Sequence, residues 1–332
     1  MFIRVHPWSW LINKMKKELG IFTLLVLLCG VTAAINPRFL SATNLTNMAN
    51  IIGLYGVFSL GLGLVIITGG IDLSVGSMFA LAGVLLSMAL TEWHWPWPAA
   101  AAFVIAVPML LGWCHGALVT RMKIQPFIVT LCGLLVYRGL ARFIAQDGTK
   151  GLGNAEGFET FARLAKGKLL GLPMPFVILV VLSIIMWFVL HRSVYGRYLF
   201  AVGRNEEAAR FSGINTRFVI GTSYVLMGLL AGVAGILFAF YTNSISPSNH
   251  GNFFELYGIA AAVLGGCSLR GGEGSVIGIL IGTALLQVLQ NLVNLLGIPS
   301  SLNFAVMGAV VLIGVLADQY FQNRSARKLV RH

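Results

Sequence analysis

Charge is scarce in this chain. Of 332 residues, 23 are Lys or Arg and 11 are Asp or Glu, 10% in all, where soluble domains carry about 25%. That shortage excludes an ordinary soluble domain. A phosphate-binding loop is missing as well. The glycine-rich GGEGS at 271–275 lacks the lysine and the spacing of G-x-x-x-x-G-K-[ST], so the chain is not expected to hydrolyse ATP, and no cofactor is expected on it. Neither H-E-x-x-H nor G-x-S-x-G occurs. The histidines, His6, His94, His115, His191, His250 and His332, are dispersed, which argues against a metal site or a clustered catalytic centre. The four cysteines, Cys29, Cys114, Cys132 and Cys267, follow no metal or disulfide spacing and sit in or beside apolar segments. The net charge of +12 is spread over loops rather than along one face, so no nucleic-acid partner is expected.

What is present is apolar sequence, 57% of the chain. Runs of the length needed to cross a bilayer, about 17–25 residues, recur throughout without the alternation of a membrane barrel. They predict an all-α polytopic membrane protein, one transmembrane domain over 1–332. About ten spans are expected, near 20–36, 44–68, 75–90, 98–118, 126–145, 173–190, 218–240, 254–267, 275–295 and 301–317. The run from Ile21 to Ala34 follows Lys14, Lys16 and Lys17 as a signal peptide would, but Asn36-Pro37-Arg38-Phe39 is a poor cleavage site, so it reads as a retained first span. Basic residues are richer in the N-terminus, the even-numbered loops and the C-terminal tail, which predicts both termini in the cytoplasm. Trp93, Trp95 and Trp97 in WHWPWP mark an outer boundary. Residues 146–172 form the longest outer loop, expected to hold a short surface helix. Arg138 and Arg142, towards the outer end of the fifth span, are placed to snorkel to the interface.

Three segments break the apolar pattern. Residues 191–217 hold Arg192, Arg197, Arg204, Arg210 and Arg217 around Glu206 and Glu207. Asn205 is a reasonable N-cap. Glu206 and Glu207 suit the positive end of a helix dipole, Glu206 and Arg210 are spaced i, i+4, and Gly213 supplies a stop. The result is a helix of about two turns with Ala208, Ala209 and Phe211 as its small or apolar members, too short to stand alone. It is either a docking element for a cytosolic surface or a solvated loop obeying the positive-inside rule. The second and third segments are glycine breaks, Thr68-Gly69-Gly70-Ile71-Asp72-Leu73-Ser74 and Gly265 to Ser275. Each follows an apolar run and leads into a small-residue helix, a weak internal repeat. Such pairs point to a transport pathway or to tight turns with close helix packing. Asp72 is expected to cap the helix that begins near Ser74 or to bond the glycine turn, close to the inner surface. Glu255, Asn291, Asn294 and Asn303 are candidates for substrate contact or for hydrogen bonds between helices.

GGIDLSVGS at 69–77, RMKIQPFIVTL at 121–131, YRG at 137–139, GRYLFAVGRNEEAARFSGI at 196–214 and ELYGIAAAVLGGCSLRGGEGSVIGILIG at 255–282 resemble the ribose-type branch of ABC importer permeases, in order and over nearly the whole chain. The resemblance implies a subunit of a bacterial inner-membrane importer for a monosaccharide. A second permease subunit, identical or different, a separate ATP-binding subunit and a periplasmic sugar-binding protein would complete it. In that family the loop matching 196–214 is a coupling helix on the ATPase, a role that falls here on Gly203, Asn205, Ala208, Ala209, Ser212 and Gly213. Phe211, Ala208 and Ala209 would then pack in a groove on the ATPase, with Arg204, Glu206, Glu207 and Arg210 at its rim. Two positions depart from the pattern. Tyr257 stands where a carboxylate is common, and Arg270 where a small residue is usual; both lie near the pathway or its inner gate. Two other classes remain in play on residues alone. An ion-coupled secondary transporter would need ionisable groups at mid-membrane, and a membrane-embedded enzyme would need clustered His, Asp or Glu.

Overall fold

Ser41 accepts from the Asn44 N–H and opens a long central helix of the computed structural model, which describes residues 7–299 apart from 155, and positions 302, 305, 306, 308, 309 and 312 beyond them. In chain order the helices are α1 Pro7–Ile35, α2 Ala42–Ile67, α3 Val75–Ser87, α4 Trp97–Arg121, α5 Pro126–Ala145, α6 Glu159–Lys166, α7 Met174–His191, α8 Val194–Arg204, α9 Glu206–Phe211, α10 Thr216–Thr242, α11 Phe254–Leu264 and α12 Val276–Leu295. A π-turn, Met88–Glu92, extends α3. The two strands, β1 Lys168–Leu169 and β2 Leu172–Pro173, pair antiparallel in a minimal hairpin.

Among the described residues, eight helices are long and apolar enough to span a bilayer, and the chain is an all-α polytopic membrane protein. α11, with 11 residues, is a half-length apolar helix rather than the full span expected over 254–267. The span expected over 301–317 falls largely outside the described residues. Burial sorts the spans into two shells. The apolar windows of α2 and α3 are 78% and 83% buried, those of α10 and α12 are 67% and 61%, and those of α4, α5 and α7 are 28%. α1 is peripheral at 6% and packs chiefly on α12. Apolar residues all round a helix suit a central position, which is why α2 and α3 carry no polar face.

Lipid gives helices no hydrophobic reason to associate, so close backbone packing does that work. α4 and α10 make the most extensive helix pair. Gly112 and Gly116 on α4 face α10 at Tyr224 and Gly221, while Gly228 and Gly232 on α10 face α4 at Pro108 and Ile105. Each helix thus carries a G-x-x-x-G spacing on its contact face.

The 146–172 loop contains the expected short helix. α6 turns Phe161 inward, its ring 5.2 Å from Trp97 and 5.0 Å from Phe240. Lys150 pairs with Glu92 at 2.5 Å and its backbone bridges to Ile245. At the end of α5, Arg142 reaches outward as expected and donates to Asp147 at 2.6 Å; that hydrogen bond holds the Asp147 carboxyl below the usual carboxylate range.

Candidate functional site

The charged segment 191–217 folds as two helices, not one. Ser193 accepts from Gly196 N–H at 3.1 Å and starts α8. Asn205 ends α8 and, through its side chain, accepts from Ala208 N–H at 2.9 Å to start α9. Gly213, at φ +83°, stops α9, and Ile214 N–H turns back to Ala209 O at 3.1 Å. α8 was hidden in the sequence by its arginines; its signal is Gly196, Leu199 and Val202, all buried on one side. Of the three side chains expected to face a partner, Ala209 is buried within the protein, while Ala208 is exposed and Phe211 is 79% exposed. Glu206 is held from two directions, by Lys123 Nζ at 3.4 Å and by the Thr216 hydroxyl at 3.2 Å. Glu207 and Arg210 are exposed and 4.0 Å apart, an ion pair worth well under about 1 kcal/mol in solvent. Ser212 returns its hydroxyl to Ala208 O at 2.9 Å. Between α8 and α9 lies an open cavity of about 620 Å³, lined by Arg197, Phe200, Arg204, Ala208 and Ile214.

The two glycine breaks and this helix pair, separate in the sequence, meet at one point. Gly203 lies so close to the end of α2 that a Cβ there would overlap the Ile67 carbonyl oxygen. That same carbonyl accepts from Gly272 N–H at 2.8 Å. Gly271 in turn packs on Gly203 O and on the backbone of Gly69. Arg270 sits in this turn with its side chain exposed. α8 therefore touches the first residues of the 68–74 break and the 265–275 turn at once.

From Gly69 the chain does not stay at the surface. Asp72 is wholly buried rather than near the surface, and its Oδ1 accepts from Ser74 N–H at 2.8 Å and from the Ser74 hydroxyl at 2.6 Å, bonds to the residue before α3 rather than a cap on the helix itself. Its Oδ2 lies 3.8 Å from His115 Nδ1, and His115 Nε2 is 2.7 Å from the Tyr137 hydroxyl. At Gly76, already in α3, the backbone meets Gly251, in the loop that descends from the end of α10. The buried Glu255 carboxylate lies against Gly76 too, at the N-terminal ends of both α3 and α11. Arg138, expected to snorkel outward, instead turns in. Its Nη1 donates to His250 O at 2.7 Å and to Pro247 O at 3.1 Å, tying α5 to that loop.

The remaining pathway candidates do not join this group. Tyr257 packs its ring 5.7 Å from Tyr55. Asn291 and Asn44 exchange amide hydrogen bonds of 2.8 and 3.1 Å between α12 and α2. Asn294 is exposed near the end of α12, and Asn303 lies outside the described residues. Asn291→Leu is expected to destabilise the fold by about 1 kcal/mol, read as a lower unfolding midpoint in detergent. Asn44→Leu should then cost much less in the Asn291→Leu background than alone; additive losses would show that the two amides do not act as a pair. Arg138, His115 and Tyr137 went unmarked in the sequence as members of this region, because nothing local distinguishes a buried polar residue in a span from one at its end.

Residues 44–315 match the protein family described as "Branched-chain amino acid transport system / permease component". The chain is 38% identical to the ribose import permease protein RbsC of Bacillus subtilis (strain 168), over 95% of each chain. It is 37% identical to RbsC of Escherichia coli (strain K12), over 95% of this chain and 96% of that one. With the autoinducer 2 import system permease protein LsrD of Enterobacter sp. (strain 638) it shares 32% identity over 91% of this chain and 93% of that one. No solved structure matches.

Proposed function

The chain belongs to this family of transport-system permease components, and from that premise we propose that it is the membrane-spanning subunit of a bacterial ABC importer for a monosaccharide. It works by alternating access, in the inner membrane with both termini in the cytoplasm. A separate ATP-binding subunit hydrolyses the ATP, a periplasmic sugar-binding protein delivers the solute, and a second permease subunit, identical or not, completes the pathway. The family description speaks of branched-chain amino acids. The sugar reading rests on the full-length likeness to two ribose import permeases.

One observation carries the mechanism: the contact of Gly203 with Ile67 and of Gly271 with Gly203 and Gly69. Phe211 and Ala208 present an exposed knob, capped at one end by Asn205 and stopped at the other by Gly213. Closure of the ATPase subunits moves that knob. Gly203 lies two residues before the Asn205 that caps the knob, so this end of α8 moves with it, and both glycine turns are bonded or packed there. Each turn leads into a buried polar region, the first through Asp72 and Ser74 to α3, the second back through α11 to Glu255. Packed elements shift as units rather than deform gradually.

Ala208→Glu tests the docking surface. It adds charge on the exposed side of α9 without touching the buried Ala209. With the cognate ATPase in proteoliposomes, ATP-driven uptake should fall at least about tenfold while insertion and unfolding temperature stay unchanged, a loss of about 1.4 kcal/mol or more in productive association. Normal uptake with normal ATPase stimulation would remove α9 from the coupling path. Uptake that survives without ATP but collapses with the ion gradient would instead favour a secondary transporter.

A further inference from the structure

The β1–β2 hairpin ends in leucines that fold-level packing does not explain. Leu170 is 96% exposed and Leu169 and Leu172 are about half exposed. The tip residues Leu170 and Gly171 both have positive φ, 51° and 83°, the geometry of a tight hairpin turn that favours Asn or Gly at its first position. Leucine there is conformationally disfavoured and, in water, would gain nothing by its exposure. Lys166 and Lys168, both exposed, precede the tip.

The position of the hairpin suggests what covers it. Gly167 O accepts from Met174 N–H at 2.8 Å, so the hairpin sits directly on the first residue of α7. The start of α7 is fixed in depth, because Pro175 and Phe176 pack against the backbone of Gly53 on α2. Gly53 to Ile67 is about 21 Å of helix at about 1.5 Å per residue. α7 itself has 18 residues and no Lys, Arg, Asp or Glu, a length of about 27 Å against a hydrocarbon core of about 30 Å. Val181, Ile184, Ile185 and Phe188 leave one side of α7 apolar and exposed, the side that lipid covers. The leucine tip therefore stands at the outer edge of the hydrocarbon layer, where α7 runs short.

We propose that Leu169, Leu170 and Leu172 insert into the outer leaflet at the boundary of acyl chains and headgroups, with Lys166 and Lys168 reaching lipid phosphates. The hairpin then acts as an interfacial anchor that makes up the missing hydrophobic length of α7. The occupant is lipid, by continuity with the lipid-facing side of α7, rather than a soluble protein. This inference rests on the chain's crossing a bilayer several times and on the proposed orientation, which puts residues 146–172 outside. It is independent of which solute is carried and of how transport is driven.

The test uses the full-length chain in nanodiscs containing anionic lipid. Leu170→Cys and Glu156→Cys, each in a background with the four natural cysteines changed to Ala, are reacted with a charged, membrane-impermeant maleimide. Glu156 is exposed on the same outer loop. Leu170→Cys should label about tenfold or more slowly than Glu156→Cys, as for a group buried at the interface, and both should label fully after denaturation. Equal rates would overturn the proposal. So would protection of Leu170→Cys that develops only on adding a purified periplasmic binding protein, which would assign the tip to protein docking. If the cysteine-free background does not assemble, Leu170→Trp in the otherwise natural chain replaces it. Its added fluorescence should be quenched by lipids brominated near the headgroup end of the acyl chain, and absence of that extra quenching would overturn the proposal equally.

Discussion

Gly203→Val is expected to abolish ATP-driven uptake while the chain still inserts into the membrane. Gly203 has no room for any Cβ, since one would overlap the Ile67 carbonyl oxygen. The obstacle is backbone, which cannot rotate aside as a side chain can. α8 must therefore back away from the end of α2, and the Gly272 N–H to Ile67 O hydrogen bond and the Gly271 packing go with it. Overpacking of this kind costs about 1–3 kcal/mol. Spread over a chain this size, that is tolerable for the fold. Concentrated at the one contact between the knob and both turns, it removes the link itself. Solute uptake and ATPase stimulation, measured together in proteoliposomes, distinguish the outcomes. Loss of uptake with ATPase activity no longer responsive to binding protein is the expected result. Gly203→Ala should lie between Val and the natural residue. If Val transports normally, the junction is a passive packing contact and motion travels elsewhere, for instance through Glu206 and Lys123.

Arg138→Met should produce the largest loss of stability. The guanidinium supplies two charge-assisted hydrogen bonds to the loop before α11, at Pro247 O and His250 O, each worth about 1.5–3 kcal/mol. Glu255 is buried in the same region, and removing a nearby cation leaves its charge less compensated. An expected loss of about 3–5 kcal/mol should lower the melting temperature in detergent by roughly 5 °C or more. Arg138→Lys should recover part of it, since an ammonium can serve one carbonyl but not span both. Glu255→Gln should be better tolerated in the Arg138→Met background than alone, because it removes the charge that Arg138 no longer balances. A Met variant that melts with the natural protein would show that the loop is held by other contacts.

The spans and the charged inner segment were legible in the sequence because both are local signals: a run of apolar residues, or a cap and a stop six to eight residues apart. The capping of α9 by Asn205, its stop at Gly213 and the Asp72–Ser74 turn all follow from neighbours in the chain. What escaped reading depends on distant partners. α11 begins at Phe254, where the span was expected to begin, but it stops at Leu264, and the apolar residues up to Cys267 that lengthened the expected span belong to the glycine turn. The facing G-x-x-x-G spacings of Gly112/Gly116 and Gly228/Gly232 look like ordinary glycines until α4 and α10 are laid together. In a span apolar on most sides little periodicity says which face is central, so the inward turn of Arg138 could not be foreseen; α9 has only six residues, too few to show which of Ala208 and Ala209 faces inward. The candidate pathway residues were chosen for polarity alone, and the structure distributes them among a turn, a buried cluster and a reciprocal amide pair.

The hydrogen bond from Gly272 to the Ile67 carbonyl has a bearing on biogenesis. Synthesis runs from the N-terminus, and early segments fold before later ones exist. Throughout that interval the end of α2 is already in place, but the donor that completes it lies beyond α11. The inner junction is thus among the last contacts of the described fold to form. A nascent or truncated chain that stops before the second glycine turn carries α8 and α9 without the clasp that connects them to the gate. Such a product lacks both the hydrogen bond to Ile67 O and the packing of Gly271 on Gly203, so its α8 meets the end of α2 alone.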